Sequence, residues 1–150
     1  MPSLSPADRD ALVDLARRAV AARLGAGAEP ETVAAGALLE PRGAFVALEV
    51  AGALRGFVGT LAAAGPLATT VAAAARRACA DDPRFAPLRA EELASLRVRI
   101  AVVGRRRALR APSDVEPGRD GVSGSTCRRH ACCRSYPLRW DALHARAGRR

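Results

Sequence analysis

The sequence predicts an α+β fold, in which helices and strands occupy separate stretches of the chain. Two stretches, near residues 6–24 and 66–80, carry apolar residues at helical spacing. Three short runs are rich in Val, Leu and Phe, two between these stretches and one after the second. We predict that they are strands of an antiparallel or mixed sheet. At 150 residues the chain is long enough for one domain with a proper core and too short for two to be expected.

The first predicted helix carries a start signal and a stop signal. Ser5 is placed to cap it, Pro6 suits its first position, and Asp8 favours its positive end. Gly25 is the expected end. The apolar stripe between them comprises Leu12, Leu15, Ala16, Ala19, Val20 and Leu24.

The second predicted helix runs from Pro66 to about Ala80. It stops at Asp81-Asp82-Pro83, because a residue before proline is pushed out of the helical region. We expect two shorter helical turns, one near residues 32–39 and one near residues 91–93. The buried side of the second helix is predicted to carry Leu67, Val71, Ala74, Ala75 and Ala78.

The strands are predicted from a hairpin and from a strictly alternating run. Residues 45–50 and 54–60 read as two strands joined by a tight turn at Ala51-Gly52. The run LRVRIAVV places Leu96, Val98, Ile100 and Val102 on one face and Arg97 and Arg99 on the other. This alternation indicates a half-buried strand.

The net positive charge of the chain lies mainly in its last third. Residues 1–104 hold 12 Arg against 11 acidic residues, whereas residues 105–150 hold 12 Arg against 4. The chain has no Lys, Asn or Gln, which we interpret first as a GC-rich coding bias. The opening residues lack the apolar stretch of a signal peptide, and no 18-residue apolar window occurs, so we expect a cytoplasmic protein without disulfides.

Arg stands next to Gly twice in the predicted hairpin, at Arg42-Gly43 and Arg55-Gly56. One interpretation is that Gly43, Gly56 and Gly59 mark bulges or close backbone contacts. The other is that these glycines let an anionic or planar ligand approach the backbone, with Arg42 and Arg55 as its donors. Alternation places Arg55 on the same face as Phe57.

The turn Asp82-Pro83-Arg84-Phe85 is the second candidate site. It is either a helix-terminating turn, with Phe85 in the core and Asp82 paired locally to Arg84, or part of a cleft beside the hairpin. Our hypothesis is that Arg55 and Arg84 reach a shared hollow. The sequence contains no paired carboxylates, no Ser-His-Asp set, no phosphate-binding loop and no cofactor motif, so conventional acid–base catalysis is disfavoured.

Taken together, these strings resemble the AMMECR domain family. The elements that carry the resemblance are Arg42-Gly43-Ala44-Phe45-Val46, Gly52-Ala53-Leu54-Arg55-Gly56-Phe57-Val58-Gly59, Pro66-Leu67, Asp82-Pro83-Arg84-Phe85-Ala86-Pro87-Leu88 and Glu116-Pro117-Gly118-Arg119-Asp120-Gly121. The resemblance implies an antiparallel sheet flanked by helices. Two residues depart from the family pattern: Phe57 stands where a Cys is usual, and Ala47 replaces a Thr.

The resemblance also implies a function by association. Prokaryotic domains of this kind are associated with radical-SAM and MEMO-type proteins. We therefore expect an accessory or binding module of such a modification system, with a MEMO-like or radical-SAM protein as its partner and without a cofactor or metal of its own. The alternatives are an enzyme of that pathway acting on an anionic substrate, and a nucleic-acid binder that uses the basic tail.

The last 29 residues differ in character from the rest. We predict a domain over residues 1–121, incomplete at its C-terminus, followed by a basic, Cys-rich tail over residues 122–150 that is disordered or out of frame. GC-rich codons for RHACCRS, read from the third base, give the family string LLPQ, so the interpretation we prefer is a frameshift. A zinc site is an alternative, with ligands Cys127, His130, Cys132 and Cys133; a disordered Arg-rich arm is another.

Overall fold

The computed structural model describes residues 3–32, 35–104, 107–108, 110–116, 121–127, 130–136 and 138–139, the last three segments by their backbone alone. Within these residues the α-helices and strands are, in chain order, α1 (Pro6–Arg23), β1 (Ala44–Val50), β2 (Ala53–Thr60), α2 (Leu67–Ala80), β3 (Leu96–Val103), β4 (Arg107–Ala108), β5 (Gly121–Cys127), β6 (His130–Tyr136) and β7 (Leu138–Arg139). One antiparallel sheet has the order β2-β1-β3-β7 and a second has the order β4-β6-β5. The predicted α+β class is confirmed.

The helix α1 begins and ends at the predicted residues. Ser5 Oγ accepts a hydrogen bond from the Asp8 amide at 3.1 Å, and the Ser5 amide donates to Asp8 Oδ2 at 2.9 Å, which is a reciprocal capping box. At the other end Gly25, at φ +72°, lets the chain turn back on the helix. Among the described residues no helix is long and apolar enough to cross a membrane.

The hairpin of β1 and β2 carries a bulge next to Gly56, one of the glycines that we interpreted as marking bulges or close backbone contacts. Its turn is the predicted one, and both Ala51 and Gly52 have positive φ. In the antiparallel register Leu48 lies opposite Gly56 and Glu49 lies opposite Leu54, so Arg55 has no partner in β1. Arg55 is therefore the additional residue of a β-bulge.

The two helices cover one face of the sheet. The helix α2 packs on β1 and β2, and α1 packs on α2 and on β3. The core between the helices and the sheet is built from small and medium apolar side chains, the largest fully buried ones being Leu12, Leu48, Leu67, Ile100, Val20, Val46 and Val71. The predicted α2 stripe is buried, and Ala68, Ala72 and Cys79 are buried beside it because α1 covers a second side of the helix.

Two of the hairpin glycines are required by close packing of main chains. A Cβ on Gly56 would collide with the carbonyl of Ala78, so α2 rests directly on the backbone of β2. A Cβ on Gly43 would lie 2.5 Å from the carbonyl oxygen of Thr60. The interpretation of these glycines as points of close backbone contact is confirmed.

Two details of the predicted core are wrong. Beyond Arg99 the second face of β3 is not exposed, since Ala101 is fully buried and Val103 is 5% exposed. Phe85 is only half-buried and lies outside the core, and Leu88, 4% exposed, anchors this stretch instead. A short helical turn does occur in each predicted region, as 3₁₀ helices at Gly36–Leu39 and Ala90–Ser95.

The segment predicted to be a tail contains two strands. The strands β5 and β6 pair from Gly121 opposite Tyr136 to Cys127 opposite His130. Their side chains are not described, and Trp140-Asp141, which we considered a return to the family sequence, lies outside the described residues. The boundary at residue 121, the zinc site and the frameshift stay predictions.

Replacing Gly56 by Ala tests the contact between α2 and β2. We expect Gly56→Ala to lower the free energy of unfolding by about 2 kcal/mol or more, because the added methyl group collides with the helix backbone. Urea denaturation measures the change. The control is Gly65→Ala, where a Cβ meets nothing within 4 Å and the expected change is below about 0.5 kcal/mol. Equal effects of the two substitutions would contradict the packing argument.

Candidate functional site

Asp82 is a buried carboxylate at the turn after α2. Its side chain is 2% exposed. Oδ2 accepts hydrogen bonds from the amide of Phe57 and from Arg84 Nη2, both at 2.9 Å, and Oδ1 accepts from the amide of Arg84 at 3.1 Å and from its Nε at 2.9 Å. The bonds from the Arg84 side chain, more than any other cause, hold the pKa of Asp82 far below its usual range.

Arg84 completes the connection between this turn and β2. Its Nη2 also donates to the carbonyl oxygen of Phe57 at 2.7 Å, and its guanidinium carbon lies 5.5 Å from the centre of the Phe85 ring. Asp82 and Arg84, which we call the Asp82–Arg84 clasp, thus bind both the N–H and the C=O of one residue of β2. The predicted local pairing of Asp82 with Arg84 is confirmed.

Arg55 is held by a second carboxylate from the same loop. Its Nε and Nη2 donate to Glu92 Oε1 and Oε2 at 3.1 and 3.3 Å. Glu92 also accepts from the amide of Arg89 at 2.8 Å, and Arg55 is the main reason that the pKa of Glu92 is lowered. Because Arg55 lies in the bulge, alternation along β2 does not determine its direction, contrary to our expectation.

An aromatic pair occupies the sheet face opposite the helices. The rings of Phe45 and Phe57 stack with centroids 5.6 Å apart and planes inclined by 13°. Gly59 lies opposite Phe45, and a Cβ on Gly59 would collide with that ring. Ala47, opposite Phe57, is 5% exposed. Phe57 therefore stacks on another phenylalanine.

Arg42 lies at the open end of the hairpin, away from the clasp. Pro41, just before it, forms a bridge with Pro66 at the start of α2, and the carbonyl of Gly43 accepts from the amide of Val103 at 2.9 Å. Arg42 is half-buried, and its Nε is buried without a hydrogen-bond partner among the described residues. An orphaned buried donor of this kind calls for an acceptor.

The structure brings only some of the predicted site residues together. Phe57, Asp82 and Arg84 form one network, and Arg55 lies on the same strand but pairs with Glu92. Gly43, Gly56 and Gly59 serve close packing. The shared hollow for two guanidinium groups stays a prediction, and each of the two groups is already neutralised by its own carboxylate.

We did not predict from the sequence that Glu92 and the pair Arg99–Glu49 take part in these contacts. Arg99 Nη1 contacts Glu49 Oε1 at 2.7 Å on the face of the aromatic pair. For this pair a partial signal existed, because two oppositely charged residues fall on two of the predicted strands. For Glu92 none did, because it lies 37 residues from Arg55 and its neighbour Glu91 is an equal choice in the sequence.

A family model described as AMMECR1 matches residues 13–133. The chain belongs to the AMMECR1 family. The match passes residue 121, where we placed the end of the domain. It includes the hairpin, the clasp and Arg42, so each candidate residue lies within the AMMECR1 domain.

Similar proteins come from archaea. A protein of Aeropyrum pernix is 39% identical over 128 residues, which are 79% of this chain and 55% of that protein. Protein PF1979 of Pyrococcus furiosus is 35% identical over 123 residues, 74% of this chain and 59% of that protein. The crystal structure of the uncharacterised protein PH0010 from Pyrococcus horikoshii has a TM-score of 0.71 at 33% identity, covering 77% of this chain and 63% of that one. This AMMECR1 chain thus spans somewhat more than half the length of these relatives.

Removing the charge of Asp82 tests whether the clasp holds the fold. We expect Asp82→Asn to lower the free energy of unfolding by about 2 kcal/mol or more, because charge-assisted bonds to a buried carboxylate are lost. The control is Asp81→Asn at the adjacent, exposed residue, whose contact with Arg23 is 3.7 Å long and is expected to contribute less than about 1 kcal/mol. Denaturation curves that shift equally for both variants would refute this role of Asp82.

Acid should weaken the fold through Asp82 and Glu92. Both have a lower pKa in the folded chain than in the unfolded chain. Their stabilising effect is therefore complete above the unfolded values, about 4, and is lost as the pH falls through the folded values. We expect the free energy of unfolding to decline from about pH 5 downwards and to decline less steeply in Asp82→Asn. Urea titrations at several pH values measure both slopes, and parallel slopes would contradict the assignment to Asp82.

Proposed function

We propose that this AMMECR1-family chain is a binding module that recognises an anionic group of a protein partner at the open end of its hairpin, through Arg42. The observation that carries the proposal is the buried Nε of Arg42, which has no acceptor among the described residues. A guanidinium is always charged and presents its donors in a fixed fork, which suits a carboxylate or a phosphate.

The other two candidate arginines give weaker support for anion binding. Arg55 donates two hydrogen bonds to Glu92, and Arg84 donates three from its side chain to Asp82 and Phe57. Their charges are matched within the fold, so an incoming anion would gain little from them unless it displaced a carboxylate. Arg42 has no such partner among the described residues, which is why we place the anion there.

The occupied carboxylates favour binding over catalysis. A general base needs a free lone pair and a pKa near the working pH. The Asp82 carboxylate accepts four hydrogen bonds, and its pKa lies far below its usual range. Glu92 is engaged by Arg55 and by the amide of Arg89. The alternative of an enzyme with Asp82 or Glu92 as its base therefore has less support.

We include in the proposal the partner class that the family resemblance implies. The partner would be a MEMO-like or radical-SAM protein of a modification system in the cytoplasm, and the chain would act in that system as an accessory component. An anionic side chain or a phosphorylated group on the partner is the chemistry that Arg42 suits. Nucleic acid is the alternative partner for the basic residues after residue 104.

Binding of the purified chain to the MEMO-type and radical-SAM proteins of the same genome tests the proposal. We expect Arg42→Gln to weaken the affinity, measured by titration calorimetry, by about tenfold or more, the usual effect of losing a hydrogen bond to a charged group. The control is Arg97→Gln, an exposed arginine on β3 that is expected to change affinity less than about twofold.

Two results would contradict this proposal. One is that neither candidate protein binds the wild-type chain; the other is that both arginine variants bind as the wild type does. Binding to arbitrary single-stranded DNA that weakens steeply with salt would favour the nucleic-acid alternative instead. Circular dichroism of both variants verifies that neither loss of affinity comes from unfolding.

A further inference from the structure

The strand β2 lies at the edge of its sheet. In the order β2-β1-β3-β7 it pairs with β1 alone, so one side of its backbone faces away from the sheet. In an antiparallel pair alternate residues direct both N–H and C=O to the same side. Because the Phe57 amide donates to Asp82, Phe57 and, two residues on, Gly59 direct their polar groups outward.

Beyond the bulge at Arg55, the sequence of this edge carries neither a charge nor a proline against strand addition. Residues 56–60 read Gly-Phe-Val-Gly-Thr, without a charge or a proline. Edge strands are normally protected by inward-pointing charges, prolines or a covering segment, because an unpaired row of N–H and C=O groups is a template for another strand. An uncharged edge would also meet no like charge on the same edge of a second copy.

We propose that the Asp82–Arg84 clasp closes this edge against antiparallel pairing with β2 of a second copy of the chain. The clasp binds both polar groups of Phe57, with the amide held at 2.9 Å and the carbonyl at 2.7 Å. A second strand needs those same two groups at the centre of its ladder. The clasp and the second strand therefore exclude each other.

The loop that carries the clasp is fastened at two further points, one on α2 and one on β2. The amide of Leu88 donates to the carbonyl of Cys79 at 2.8 Å, and Glu92 binds Arg55 in the bulge. The bulge itself removes Arg55 from the ladder with β1. The clasp is the part of this loop that binds the backbone of β2, and Glu92 adds a side-chain contact to the same strand.

A second copy is the occupant that the strand itself favours. Two β2 strands related by a twofold axis present the same uncharged residues to each other, and such a self-complementary contact is the commonest kind in homodimers. Leu54, 43% exposed on the same strand, would gain burial in this pairing. If an unrelated extended peptide pairs with this edge instead, association will need another protein.

Hydrogen exchange of the wild-type chain tests the closed edge directly. After correction for intrinsic rates, we expect the Phe57 amide to exchange at least about tenfold more slowly than the Gly59 amide, which faces the same side and has no partner among the described residues. Equal exchange at the two amides would overturn the proposal, and this measurement requires no variant.

Opening the clasp tests the second half of the proposal. We expect the double variant Asp82→Asn/Arg84→Gln to associate into dimers in a concentration-dependent manner, measured by sedimentation velocity, whereas the wild type does not associate through this edge. If the double variant does not fold, Arg84→Gln alone frees the Phe57 carbonyl while Asp82 still binds the amide, and weaker association is expected. A folded variant that stays monomeric over the same concentrations would overturn the proposal.

A proline at the centre of the strand distinguishes β2 pairing from other association. Adding Phe57→Pro to the open variant removes the N–H that a second strand needs and should restore the monomer. The matched control is Phe57→Ala in the same background, which removes the same ring but keeps the N–H and should leave the dimer. Association that survives the proline, or that needs another protein, would show that a different surface or occupant is involved and would overturn the proposal.

Discussion

The buried charge of Asp82 is the constraint on which the arrangement of hairpin, α2 and following loop depends. A carboxylate removed from water must be compensated by several donors. Here the donors come from two places: the backbone of β2 and the arginine two residues along the turn. The end of α2 cannot move away from β2 without leaving that charge uncompensated. The start of the following loop is fixed by this one group, and Leu88 and Glu92 fasten the rest of it.

The arginines and glycines of the hairpin therefore have different tasks. The glycines at 43 and 56 allow close approach of two backbones, and Arg55 fastens the loop through Glu92. Arg42 alone among the three candidate arginines keeps an unmatched donor within the described residues. Phe57, beside these groups, stacks on Phe45. These contacts agree with the proposal that the chain recognises a charged group through Arg42.

Elements with local signals were predictable from the sequence, and contacts between distant residues were not. The cap at Ser5, the turn at Ala51-Gly52 and the alternation of β3 each rest on a few adjacent residues. Gly56 indicated a bulge or a close contact, but the identity of the additional residue, Arg55, depends on how β1 registers against β2. One interpretation placed Phe85 in the core, but it is half-buried and lies against the Arg84 guanidinium. The local pair of Asp82 and Arg84 was predicted, but its attachment to Phe57 was not.

The contact of α2 with the backbone at Gly56 has a mechanical consequence. Side chains that interdigitate can change rotamers and let a helix slide, but a helix resting on main-chain atoms has no such freedom. We therefore expect the hairpin and the C-terminal turn of α2 to move together. A displacement of the hairpin near Arg42, where α2 begins, would then be transmitted along the fourteen residues of α2 to the loop that Asp82 fixes.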